Sequence, residues 1–297
     1  MDIGKIVDFF YSRFFWRVCV LLPLFIAAIT YLRGVYRDKF APAEELPYYD
    51  VQPRAEEDTL RVIIVGDSWA EFHTNLSGDT ILERAARRIS RPPVRSWTRG
   101  KGGALTKEIY HYMFESLEHE YEEYADRCTQ ELIESAPDYC VLFAGINDAI
   151  FQRSLEYYQE NMRLMIRMLL HHGIRPVVMQ IPMVDAAWAI DYKPYLHRTA
   201  HHLKARLVGT RQNTIPKYRE ALTEMLASTR LKDSVLYIPA DRWDKKGGWD
   251  ESKYISDRVH LNMHGYHVLD SCIAAEILSD WTKRHASRQR ASGPGKD

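Results

Sequence analysis

The sequence predicts an α/β domain built on a five-stranded parallel sheet, flavodoxin-like in strand count, behind an apolar amino-terminal helix. Three observations predict it. Short apolar runs bounded by turn residues alternate with longer segments of helical period, three of those runs stop at glycine-rich or polar loops, and the stretch from Phe14 to Leu32 is almost wholly apolar.

The strands are expected over residues 61–65, 94–98, 139–143, 176–180 and 234–238. Each is short, apolar and closed by turn formers. Helices are expected over 80–89, 105–117, 128–135, 155–172, 196–207, 216–228 and 265–283, and right-handed crossovers would place them on both faces of the sheet. About 250 residues remain after the first ~40, enough to bury one core in a single domain, and no internal repeat is present.

The apolar stretch carries one interior charge, Arg17, with Trp16 and Tyr31 towards its ends and Pro23 inside. A bilayer core takes ~20 apolar residues in a helix, tolerates an Arg that reaches the interface, and collects aromatic residues at its two surfaces. This predicts a transmembrane anchor over 1–40 with its span at 14–32; a cleaved signal peptide or a core helix are the alternatives. Lys5, Arg13 and Arg17 before the span balance Arg33, Arg37 and Lys39 after it, so flanking charge sets no orientation. Residues 41–59, with Pro42, Pro47, Pro53 and several acids, read as an extended linker. The domain is then 60–284, and the Arg-, Ser- and Gly-rich tail 285–297 reads as disordered.

Composition excludes one partner class. Forty Lys and Arg balance forty Asp and Glu, so no basic field exists to recruit nucleic acid. The four cysteines are scattered and give no disulfide framework. No metal or cofactor is expected: His197 and His201 have a zinc-compatible spacing on a helix, but no third ligand is suggested and exposed histidines are the simpler reading.

The chemistry lies in four blocks. Ser68 follows the first strand in Gly66-Asp67-Ser68; Gly100-Lys101-Gly102-Gly103 follows the second; Gly145-Ile146-Asn147-Asp148 follows the third; and Asp257-Arg258-Val259-His260 comes near the end. A serine hydroxyl attacks an ester when an imidazole takes its proton and a carboxylate fixes the imidazole's tautomer. Asp257 and His260, three apart, can be presented by one turn. Loops at the carboxyl edge of a parallel sheet can converge on one crevice. Asp148 reads as a turn or cap residue. Residues 182–214, after the fourth strand, form a candidate lid or substrate wall.

Order and spacing of these blocks, with the continuation His260-Leu261-Asn262-Met263-His264-Gly265-Tyr266, resemble the SGNH or GDSL hydrolases over about residues 61–281. The resemblance implies a three-layer α/β fold and a serine esterase in which Ser68 is nucleophile, His260 base and Asp257 orienter. The oxyanion hole maps onto the Ser68 and Gly103 N–H groups and the Asn147 amide. Three departures stand out: Trp69 after the serine, which favours a small acyl group; Arg99 and Lys101 in the glycine block; and Leu261 after the histidine. The expectation is removal of a small acyl group, acetyl first, from a carbohydrate or envelope glycan, with the domain outside the membrane. A glycan O-acyltransferase, a lipase or lysophospholipase, and a non-catalytic envelope binding protein are the alternatives.

Overall fold

The computed structural model describes residues 13–51, 59–73, 81–89, 92–114, 129–184, 194–207, 214–244 and 250–291. It divides the chain into two compact units, Met1–Ala41 and Pro42–Asp297. The first contains α1 (Arg13–Phe40), with Pro23 inside and Leu21, Phe25 and other large apolar side chains exposed. Among the described residues no helix is long and apolar enough to cross a membrane. The span expected over 14–32 falls within α1.

The second unit carries β1 (Leu60–Gly66), α2 (Ser68–Glu71), α3 (Ile81–Ile89), β2 (Val94–Gly100), α4 (Thr106–Phe114), α5 (Gln130–Glu134), β3 (Tyr139–Phe143), α6 (Ile146–Ile150), α7 (Leu155–His171), β4 (Arg175–Met179), α8 (Tyr195–Leu207), α9 (Ile215–Ser228), β5 (Leu236–Ile238) and α10 (Met263–Ala291). The five strands are all parallel, in the order β2-β1-β3-β4-β5. This is the doubly wound arrangement in which the strand order reverses beside β1, and ligands lie outside the carboxyl ends at that reversal.

Burial explains the pattern read from the sequence. Every residue of β3 is buried, as are Val62 to Gly66 of β1 and the last four residues of β4, because central parallel strands are covered on both faces. The edge strand β2 instead alternates, with Val94 and Ser96 buried and Arg95 and Trp97 exposed. Cover comes from α3 with α10, and from α7 lying between α4 and α9. Each fully buried Ile, Leu or Val side chain contributes roughly 1.5–3 kcal/mol.

Three expectations change. Residues 42–50, expected as a free linker, are strapped to the domain: the Ala43 N–H donates to Asn161 Oδ1 at 2.8 Å, the Leu46 N–H to the Tyr110 hydroxyl at 2.9 Å, and Glu45 pairs with Arg167 at 3.2 Å. The carboxyl-terminal helix continues to Ala291, through part of the tail expected to be disordered, since no Gly or Pro interrupts it before Gly293. Two short helices, α2 and α6, stand where only turns were expected. Both follow a strand's carboxyl end and carry blocks of the candidate site.

Candidate active site

β1 ends where only glycine fits. A Cβ on Gly66 would lie 2.0 Å from the Phe143 carbonyl oxygen of β3. Asp67 then turns the chain into α2: its N–H bonds the Phe143 carbonyl at 3.0 Å, and its Oδ1 accepts the Trp69 N–H at 2.9 Å. Asp67 is thus the N-cap and Ser68 the first helical residue. Such a residue has no carbonyl one turn back, and the Ser68 N–H makes no hydrogen bond within the described chain.

The glycine block lies against this turn. A Cβ on Gly102 would stand 4.0 Å from the Ser68 Cβ and 2.6 Å from the Glu71 carboxylate. Gly103 adopts φ +79°, a left-handed conformation that favours glycine, with open space where a side chain would be. Its N–H is also unbonded within the described chain. Arg99 points to Glu131, 3.9 Å away.

Asn147 and Asp148 stitch the third block to the second. Asn147, at the start of α6, donates from Nδ2 to the Ala104 carbonyl at 3.0 Å, which leaves its second amide hydrogen for a ligand. Asp148 accepts the Thr106 N–H at 3.0 Å and the Thr106 hydroxyl at 2.7 Å, so it caps α4, a helix distant in sequence. Burial pushes its carboxyl up to about 6 against those bonds.

The fourth block closes the site. The Ser68 hydroxyl lies 2.7 Å from His260 Nε2, and His260 Nδ1 lies 2.5 Å from Asp257 Oδ2. The other carboxylate oxygen of Asp257 accepts the N–H groups of Val259 and His260 at 3.0 and 2.9 Å. Burial raises the Asp257 carboxyl, but the bonds from the His260 ring and from these two N–H groups outweigh it, leaving the group below its ordinary value. Between them Arg258 takes φ +58°, and the loop is closed by Ile255 N–H to the His260 carbonyl at 2.9 Å. A tight loop thus spends backbone strain on placing two side chains.

Three further bonds fix the serine segment to the histidine segment. Trp69 Nε1 donates to the Val259 carbonyl at 3.1 Å, the Tyr266 hydroxyl to the Trp69 carbonyl at 2.9 Å, and His73 Nε2 meets Asp270 Oδ2 at 2.6 Å in a fully buried pair. Burial pulls the His73 imidazole down, but the Asp270 carboxylate outweighs it and leaves the group raised. These contacts make Trp69 part of the core: its indole is 2 % exposed and packs edgewise on Phe143 and Trp243. The apolar cavity it lines with Phe143, Ile146, Met179 and Trp243 has room for about one water-sized group.

The structure therefore brings Ser68, Asp257 and His260 together, with Gly103 in the glycine loop beside them and Asn147, at the start of α6, bonded to the next residue of that loop. Two neighbours were missed in the sequence. Phe72 is 52 % exposed and stands edge-on to the His260 ring at 5.0 Å, and Glu71 is exposed beside Gly102. Recognising a helix after Gly-Asp-Ser would have found both, since residues three and four after Ser68 share its face. His264 and His267 are exposed on α10, which Asn262 caps through the Gly265 N–H at 3.0 Å.

The arrangement can do acyl transfer: a hydroxyl hydrogen-bonded to an imidazole, the imidazole held by a carboxylate, and free N–H donors beside them. Residues 64–268 match the GDSL-like lipase/acylhydrolase family, and the chain belongs to it. By class it is a serine ester hydrolase. Among solved structures the fold is similar to the lipase/acylhydrolase from Enterococcus faecalis, at 18% identity over 73% of this chain and 95% of that one, with a TM-score of 0.50. A catalytic mutant of an acetylxylan esterase from Geobacillus stearothermophilus (14%, 73% and 94%, 0.46) and a lipase from a goat rumen metagenome (14%, 73% and 97%, 0.47) also match. No curated protein matches by sequence.

The buried cap gives a stability prediction. Burial pushes the Asp67 carboxyl up to about 7, the Trp69 N–H opposing and the Asp148 charge adding, and its Oδ2 has no partner. A folded-state value above the unfolded one means that the folded chain holds the proton between about pH 4 and about 7, so this group's contribution is lost as pH rises through that window. Asn keeps the oxygen that accepts the Trp69 N–H and cannot ionise. Asp67→Asn is expected to raise the melting temperature near pH 8 by at least ~2–4 °C and to flatten its fall from about pH 5. Thermal melts at the two pH values check this; an equal loss of stability at both would show that the buried charge is not what matters.

Proposed function

We propose that the chain is an esterase that removes a small acyl group, acetyl first, from a carbohydrate, using Ser68 as nucleophile, His260 as general base and Asp257 as the carboxylate that orients it. The observation that carries this reading is the unbroken chain from the Ser68 hydroxyl through His260 to Asp257, at 2.7 and 2.5 Å. In the first half-reaction the Ser68 oxygen bonds the ester carbonyl carbon as its proton passes to His260 Nε2. The N–H groups of Ser68 and Gly103 and the Asn147 amide hold the resulting oxyanion. Collapse expels the alcohol, which takes the proton from His260, and leaves an acyl-Ser68. Water, deprotonated by the same nitrogen, then releases the acid.

Buried Trp69, next in sequence to Ser68, takes up space beside the nucleophile and supports a short acyl group. Exposed Phe72 offers an apolar face for a sugar ring, and Glu71 beside Gly102 would repel the phosphate of a lysophospholipid. The exposed apolar side chains of α1 support a further element of the proposal, attachment to a membrane, and a glycan substrate would put the domain on its outer side.

A series of simple esters tests the acyl class: turnover per unit concentration should fall as the chain lengthens beyond a few carbons, and a rise would favour a lipase. Release of free acetate without an added sugar would favour hydrolysis over transfer. The oxyanion assignment gives its own expectation. Asn147→Ala should lower kcat by ~10²–10³ with little change in KM, because the amide acts on charge that develops only in the transition state. Steady-state kinetics on an acetyl ester decide it; a change confined to KM would place Asn147 in ground-state binding.

A further inference from the structure

We infer that α8 is a docking surface for an anionic lipid bilayer. A helix on a water-soluble domain turns its apolar stripe inward. In α8 the stripe faces out: Leu196 is 78 % and Leu203 58 % exposed, with Ala200 exposed between them and Tyr195 beside Leu196 at 68 %. Among the described side chains of α8, His197, Thr199 and His202 are exposed as well, and Arg198 and His201 are less so, with Arg198 over the Tyr195 ring at 5.7 Å.

Charge selects the occupant. From Tyr195 to Leu207 the sequence holds Arg198, Lys204 and Arg206 and no acid. A helix with an exposed apolar stripe and only positive charge fits the plane where acyl chains meet anionic headgroups, apolar residues sinking in and basic ones meeting phosphate. A second copy of this chain would set like charges against each other. A lid closing over Ser68 would turn Leu196 and Leu203 towards the site, and no residue of α8 lines the cavity beside Trp69. The inference does not depend on α1 crossing a membrane.

Hydrogen–deuterium exchange of the full-length protein tests the inference at peptide resolution. The chain is mixed with vesicles of phosphatidylcholine alone or with added phosphatidylglycerol, and peptides covering residues 195–207 are followed. Their exchange should slow at least about fivefold with the anionic vesicles only. Two variants should abolish the slowing: L196S/L203S, which removes the apolar stripe, and R198E/K204E/R206E, since each basic residue is worth roughly fivefold in attraction to an anionic surface. Retained labelling of Ser68 by a fluorophosphonate verifies that both variants are folded. Equal exchange in every condition, or equal slowing with neutral vesicles, overturns the proposal. So does slowing produced by the phosphonate adduct without lipid, which would make α8 a lid.

Discussion

Ser68→Ala should reduce ester turnover by ~10⁴–10⁶ and leave the fold intact. The hydroxyl is the atom that His260 Nε2 addresses at 2.7 Å, so the loss removes the bond-forming atom itself. The side chain is small, a single hydroxymethyl group. Asp67, which caps α2 through the Trp69 N–H, and Gly66, which sets the turn, are both retained. Stability should therefore change by less than about 1 kcal/mol, as for a replacement that empties no cavity. The measurement is kcat/KM on an acetyl ester together with a thermal melt, and fluorophosphonate labelling of wild type and variant. Unchanged turnover in a folded variant would end the assignment of the nucleophile and turn attention to a binding role.

Asp257→Asn carries the second largest expected loss, ~10⁴ in kcat. Asp257 does two separable things. Its Oδ1 holds the Val259 and His260 N–H groups and so shapes the strained loop, while Oδ2 meets His260 Nδ1. Asn can keep the first role through its oxygen. In the second it presents an N–H₂ donor, which favours the tautomer with hydrogen on Nε2, and that nitrogen can then accept no proton from Ser68. Asp257→Ala removes both roles and should also lower the melting temperature. Comparing the two variants by kinetics and melts separates orientation from loop support. A loss below tenfold in a well-folded Asn variant would show that another group orients His260.

The strands were legible because a central parallel strand is buried on both sides and must be apolar throughout, as Tyr139 to Phe143 are. The order and spacing of the blocks pointed to Ser68, Asp257 and His260, which hydrogen bonds join in the folded chain; for Gly103 and Asn147 they gave a location, in the glycine loop and at the start of α6. What could not be read depends on partners far away in sequence. Trp69 gives no hint of its direction until Val259 and Trp243 are beside it. Asp148 caps a helix that begins at Thr106, and only the folded chain shows which N–H it meets. The strap at 42–50 has the proline and acid content of a linker, yet the hydroxyl of Tyr110 and the amide of Asn161 capture its N–H groups. Composition reports what a segment can do alone. It does not report what the rest of the chain offers it.

The three bonds that tie Trp69 and His73 to Val259, Tyr266 and Asp270 join the start of the domain to its last helix and the loop before it. The reactive centre therefore exists only once the chain's two ends have met, and catalysis is a property of the final closure and not of the sheet. On gentle denaturation, fraying of α10 would part Ser68 from His260 while the central strands kept their hydrogen bonds. Activity would then vanish at a lower urea concentration than the secondary structure does, and return last on refolding. A chain cut short before α10 would lose both the cover of the sheet and the bonds to Tyr266 and Asp270, so turnover gauges complete closure.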